Sequence, residues 1–157
     1  MGFPDPPRPL EDKPNSWKIY VTCQSTDFRY TDAIADVNVL SESDQLSARG
    51  ALVTMIAKGS TGMPIQELYD EKVCHPAHEF TYESASGKHS VIQILRIRGS
   101  DIRIYFIYLP GRIILILKVE EKRKDKLSKG QKQVLETLAT AALDAIEQHT
   151  FVARIVP

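Results

Sequence analysis

The rhythm of apolar and polar positions changes several times along this chain, and it is strongest between Val91 and Val119, VIQILRIRGSDIRIYFIYLPGRIILILKV. Ile, Val, Leu, Tyr and Phe fill runs of six to ten residues, interrupted by Gly99-Ser100-Asp101 and by Pro110-Gly111. Runs this short and this rich in β-branched and aromatic residues favour strands over helices. Pro pre-sets one turn position and Gly tolerates positive φ at the next, so the interruptions predict the turns of a three-strand antiparallel meander.

The flanking segments supply the other elements. Trp17 to Thr22 alternates as a first strand, expected at the edge of the meander. A helical rhythm follows over Tyr30 to Leu40, with Ile34 and Val37 on one face and Asp27 or Thr31 as cap. A second helix runs from a Ser43 cap to Lys58-Gly59, with Leu46, Leu52, Val53 and Ile56 on one face and a glycine stop. Glu79 to His89 reads as a strand and a turn at Ser84 to Lys88. The last helix, capped by Ser128 and reaching about Gln148, carries Val134, Leu135, Leu138, Ala141, Ala142, Ala145 and Ile146 as its stripe, and the tail after it can add a short strand.

These elements predict an α+β fold. An antiparallel sheet of four or five strands packs against an N-terminal helical hairpin and a C-terminal helix, which together cover one face, since bare meander strands would expose a large apolar patch. Residues 16–157 form one domain by length. Met1 to Asn15, with five prolines, is expected to be a disordered tail dispensable for folding.

Charge and cysteine content narrow the class. The two cysteines, Cys23 and Cys74, are far apart and lack a CxxC spacing, so neither a disulfide framework nor a zinc site is indicated. The first residues have no signal-peptide core and no run is long enough to span a bilayer, which predicts a soluble, cytoplasmic protein with no membrane partner. Net charge is zero, but Arg96 to Lys132 holds eleven cations against four acids, a local surplus of seven. Such polarity permits one basic face on a neutral protein.

Alternation suggests what that face holds. Arg103, Tyr105, Ile107 and Leu109 share one side of the middle strand; Ile92, Ile94, Arg96 and Arg98 share a side of the preceding strand, and Ile114, Ile116, Lys118 and Glu120 of the following one. If register aligns them, Arg96, Arg98, Arg103 and Lys118 surround Tyr105, a patch suited to a phosphate backbone. Taken singly, each is more simply a solvated sheet edge. Gly59 to Pro64, GSTGMP, lacks the Walker spacing and reads as a plain loop. Cys74, His75, His78 and Glu79 are dense enough to suggest a metal, but Pro76 between them would strain such a shell, and an exposed loop is the simpler reading.

The order of elements, with Ala57-Lys58-Gly59 through Met63-Pro64-Ile65-Gln66-Glu67-Leu68, the strands around Arg96 and Arg103-Ile104-Tyr105-Phe106, and Ile114 to Lys118 followed by Lys122-Arg123-Lys124, resembles the RelE/ParE toxin superfamily, most closely its phage-derived HigB-like toxins. The resemblance spans roughly Trp17 to Gln148. It implies the toxin of a type II toxin–antitoxin system, a metal-independent endoribonuclease that needs no cofactor and cuts mRNA on the ribosome, with a helix-turn-helix antitoxin as partner. It also implies Arg96, Arg103, Tyr105 and Lys118 as catalytic residues and Arg98, Lys122, Arg123 and Lys124 as RNA-binding ones. The pattern departs from the family near Gln66, where a Lys is often found, and near Val119, where a His or Phe often is. Two other classes stay open: a non-catalytic toxin-like module that inhibits a protein partner, and a structural module that forms a homodimer.

Overall fold

The computed structural model describes residues 16–22, 36–99, 101–121, 127–147 and 153–155. Its elements are β1 (Lys18–Thr22), α1 (Glu42–Gly59), a 3-10 turn at Ile65–Leu68, β2 (Cys74–Glu83), β3 (His89–Gly99), β4 (Ile102–Leu109), β5 (Ile113–Glu121), α2 (Lys129–Glu147) and β6 (Ala153–Ile155). Residues 36–38 are helical, and the part of the expected Tyr30 to Leu40 helix that precedes Asp36 lies outside the described residues. So does the proline-rich segment Met1 to Asn15.

The expected meander forms β3, β4 and β5, all antiparallel neighbours. Its second turn is made by Gly111 at φ 84° and Arg112 at φ 58°, two successive left-handed residues. The sheet as a whole departs from expectation. Among the described residues it has six strands in the order β2-β3-β4-β5-β1-β6, and β1 lies parallel to β5 with Ile19 opposite Ile114 and Val21 opposite Ile116. The expected purely antiparallel sheet of four or five strands is thus corrected to a mixed one, and β1 is an interior strand because β6 pairs on its other side. Alternation names a strand's faces but not its neighbour. The neighbour is chosen by contacts distant in sequence: Trp17 N–H donates to the Gly59 carbonyl and Lys18 N–H to the Arg112 carbonyl, both at 2.9 Å, which starts β1 alongside the start of β5.

Helices cover both faces, not one. Ala48, Leu52 and Met55 of α1 pack on Leu95, Ile97, Ile104, Phe106, Ile114 and Ile116. Leu135, Ala139 and Ala142 of α2 pack on Ile94, Tyr105, Ile107, Leu115 and Leu117. The central strands are apolar on alternate residues of both faces, so each face needs its own cover. The cap of α1 is Ser41, whose hydroxyl accepts from Asp44 N–H at 3.2 Å, rather than Ser43. Its buried stripe is Asp44, Ala48, Leu52, Met55 and Gly59, and the expected Leu46 is 64% exposed. Small and polar residues on the buried side hide this stripe from an apolar count. The α2 cap is the expected Ser128: its hydroxyl accepts from Gln131 N–H at 3.1 Å while Gln131 Oε1 accepts from Ser128 N–H at 2.8 Å.

Two bulges reset the alternation. In β5 Tyr105 faces Lys118 while Phe106 faces Ile116, leaving Leu117 as the extra residue. Ile114 and Ile116 consequently face α1 and not the side of Lys118 and Glu120, correcting the expected shared face. In β2 Pro76 faces Leu95 while His78 faces Ile94, leaving Ala77 extra, so His75 and His78 both fall on the α2 side. The segment expected to be a loop from Cys74 is strand throughout. Pro76 is tolerated because β2 is the outermost strand and gives up no ladder partner on its open side.

Candidate functional site: a cationic row beneath the C-terminal helix

Antiparallel register places directly opposite residues on one face. His75, Arg96, Tyr105 and Lys118 form one row across β2, β3, β4 and β5. Arg98, Arg103 and Glu120 form the next. Arg96, Arg98, Arg103 and Lys118 therefore gather around Tyr105. Lys122, Arg123 and Lys124 lie outside the described residues.

Depth differs sharply within the cluster. Arg103 and Tyr105 are 2% exposed and Arg96 8%, whereas Arg98, Lys118, Glu120 and His75 are half-buried. Burying guanidinium groups is costly unless charge and hydrogen bonds compensate. Arg103 Nη1 donates to the Ile102 carbonyl at 2.9 Å, and Glu120 lies directly opposite Arg103 on β5. The Tyr105 hydroxyl is hydrogen-bonded to both Arg96 and Glu120; burial first, and then the Glu120 charge, push its pKa up to about 12. Glu120 in turn accepts from Gln131 Nε2 of α2 at 3.5 Å.

The rim is held from two sides. Beyond the end of β1, Asp36 occupies the edge of β5, accepting Val119 N–H at 3.0 Å and Lys118 Nζ at 3.2 Å. A groove of about 340 Å³ opens there, lined by Asp36, Leu40, Lys118, Glu120, Glu121 and Gln131 among others. On the opposite side β2 is tied to α2: His78 Nε2 lies 2.6 Å from Glu136 Oε1, and the Tyr82 hydroxyl donates to Asp144 at 2.6 Å. The hydrogen bond to Asp144, then burial and the nearby Glu147 carboxylate, push the Tyr82 phenol well above its ordinary range.

The other motifs resolve into structural parts. Cys74 faces the α1 core, where burial raises its thiol to about 11, while His75 and His78 face α2, so the three do not converge on one point. Among the described residues no group of three or more His, Cys, Asp or Glu could hold a metal. In the Gly59 to Pro64 loop the Gly62 carbonyl accepts from Trp17 Nε1 at 3.2 Å and Arg112 Nη1 at 2.8 Å, and a side chain at Gly59 would press on the Trp17 carbonyl at 3.3 Å. That loop anchors the start of β1. Sequence reasoning missed Asp36 and His75 as neighbours of the cluster; the sequence marks His75 only as one of the ligand-type residues Cys74, His75, His78 and Glu79 in a segment read as loop.

Among the described residues, no helix is long and apolar enough to cross a membrane. The chain matches no family model, no curated protein and no solved structure. Its function is read from the site.

Proposed function

We propose that this chain is the toxin of a type II toxin–antitoxin pair and that the row of Arg96, Tyr105 and Lys118, with Arg98 and Arg103 beside it, meets the phosphates of ribosome-bound mRNA. The observation that carries this reading is the register that gathers four cations around one tyrosine on a single sheet face. When a ribose 2′-hydroxyl attacks the adjacent phosphorus, negative charge grows on the phosphate oxygens, and fixed cations in a partly dry site stabilise it. Depth separates the roles. Half-buried Arg98 and Lys118 meet phosphate first, and Arg96 stands behind them. Arg103 and Tyr105 lie below and contribute fixed charge and a hydrogen bond. A helix-turn-helix antitoxin is the expected partner and the bacterial cytoplasm the expected place of action.

The depth of Arg103 and Tyr105 favours a second reading, in which the same scaffold binds and inhibits a protein partner without cutting RNA. Induced expression in a bacterium, with the 5′ ends of ribosome-bound mRNA mapped, separates the two. Growth arrest with new mRNA ends, relieved by Arg96→Ala and by Lys118→Ala in folded variants, supports RNA cleavage. A wild type that leaves ribosome-bound mRNA intact while co-purifying with a protein partner replaces that reading with the second.

A further inference from the structure

We infer that His75 is the proton acceptor of this site, acting on the ribose 2′-hydroxyl next to the phosphate held by Arg96. This rests on the RNA-cleaving reading and adds the group which that reading lacks. Glu120, the carboxylate of the cluster, is already engaged by the Tyr105 hydroxyl and by Gln131 Nε2; the other gathered side chains are three arginines, a lysine and a tyrosine. Arginine and lysine hold their protons at neutral pH, and Tyr105 is pushed up to about 12, so none of them takes a proton near pH 7. Imidazole is the side chain whose ordinary range suits that task.

The geometry favours one atom. His75 lies directly opposite Arg96, on the outermost strand, with a half-buried side chain at the edge of the row. Its Nε2 is 2.9 Å from Arg96 Nη2, and its Nδ1 is 2.9 Å from the Pro76 carbonyl oxygen. A guanidinium only donates and a carbonyl only accepts, so the two contacts together assign the neutral tautomer with hydrogen on Nδ1. The Nε2 lone pair is then turned toward Arg96 and the row. Arg96 and Arg98 share its face from β3, and beside it on β2 His78 is held by Glu136 of α2. An arriving phosphate oxygen is a stronger acceptor for Arg96 than neutral imidazole is. It takes the Arg96 donor and uncovers Nε2 at the moment the 2′-hydroxyl arrives beside it.

In the step, Nε2 takes the 2′-hydroxyl proton, the 2′-oxygen forms a bond to phosphorus, and the bond from phosphorus to the 5′-oxygen breaks with its electron pair going to that oxygen. Water protonates the leaving oxygen, and His75 returns its proton to the hydroxide so formed. The products are a 2′,3′-cyclic phosphate and a 5′-hydroxyl.

The test is single-turnover cleavage of mRNA on programmed ribosomes by the full chain, from about pH 5 to about pH 9, with product ends analysed for cyclic phosphate. His75→Gln keeps an acceptor for Arg96 but cannot take the proton. It is expected to lose about 100-fold or more in rate and the acidic limb of the pH profile, with an unchanged melting temperature. His75→Gly is expected to regain activity with added imidazole. If His75→Gln melts below the assay temperature, the wild-type His75 ring resonances decide: they shift when an uncleavable 2′-deoxy analogue binds, and an absence of shift overturns the inference. A folded His75→Gln with wild-type rate and pH profile overturns the role of His75 and leaves RNA cleavage standing. A wild type that produces no cyclic phosphate ends overturns both.

Discussion

The carboxylate of Asp36 accepts the backbone N–H of Val119 at 3.0 Å, on the stretch of β5 that continues past its pairing with β1. The same carboxylate pairs with Lys118 Nζ at 3.2 Å. An exposed strand edge invites pairing with another chain, and a side chain that satisfies the edge donor blunts it. Asp36→Ala is expected to lower stability by about 1–3 kcal/mol, because it leaves the Val119 N–H without this acceptor and Lys118 without this partner. Asp36→Asn keeps a carbonyl acceptor and should lose less. Urea denaturation of the two variants checks the order, and equal losses would count against the edge role.

The two leucines of α1 should behave oppositely. Leu52 is buried against the sheet while Leu46 is 64% exposed. Leu52→Ala is expected to cost about 2–5 kcal/mol through lost contacts and a residual cavity, whereas Leu46→Ser should stay within about 0.5 kcal/mol of wild type. Thermal melting of both variants tests the buried stripe observed here against the one expected from sequence.

Alkaline pH should weaken the fold through Tyr105. Folding raises this phenol from 10.0 to about 12, so the folded state favours the protonated form. The stabilisation is complete below about pH 10 and is lost as pH rises toward 12, on the order of 2 kcal/mol for this group. Cys74, raised from 9.0 to about 11, adds a loss that begins about one unit lower. Tyr105→Phe should reduce the fall in urea midpoint between about pH 9 and about pH 11. An unchanged slope would mean that Tyr105 carries none of it.

The cover over the row depends on the start of α2. Ser128 and Gln131 exchange side-chain and backbone hydrogen bonds there, and Gln131 also reaches Glu120 beside Tyr105. Ser128→Ala should cost about 0.5–2 kcal/mol. Hydrogen exchange should rise most in the first turns of α2; a uniform rise along the helix would show that the cap is not what holds this end.

Much of the architecture was legible because it is written in short-range patterns. The meander from Val91 to Val119 follows from period two and two turn signals, and the Ser128 cap and the length of α2 follow from a serine placed before a helical stripe. Arg96, Arg103, Tyr105 and Lys118 could be assigned to one face by counting along strands, provided that register cooperated. The stripe of α1 escapes an apolar count because three of its five buried residues are Asp44, Ala48 and Gly59, one polar and two small.

The sequence specified most of the strands and helices, though not the strand from Cys74 to His78, and the alternation along unbroken stretches of strand, because those properties come from the steric preferences of each residue and its near neighbours. Tertiary structure decided the rest. It set β1 parallel to β5, since strand partners are chosen by contacts such as Trp17 with Gly59 that lie far apart in the chain. It inserted Leu117 and Ala77 as bulges, which turned Ile114 and Ile116 to one face and brought His75 beside Arg96 on the other. It also laid α2 over Tyr105 and buried Arg103, so that residues equal in a strand count differ in depth. Period two carries no record of an extra residue or of what covers a face; both follow from the balance of packing and hydrogen bonding across the whole sheet.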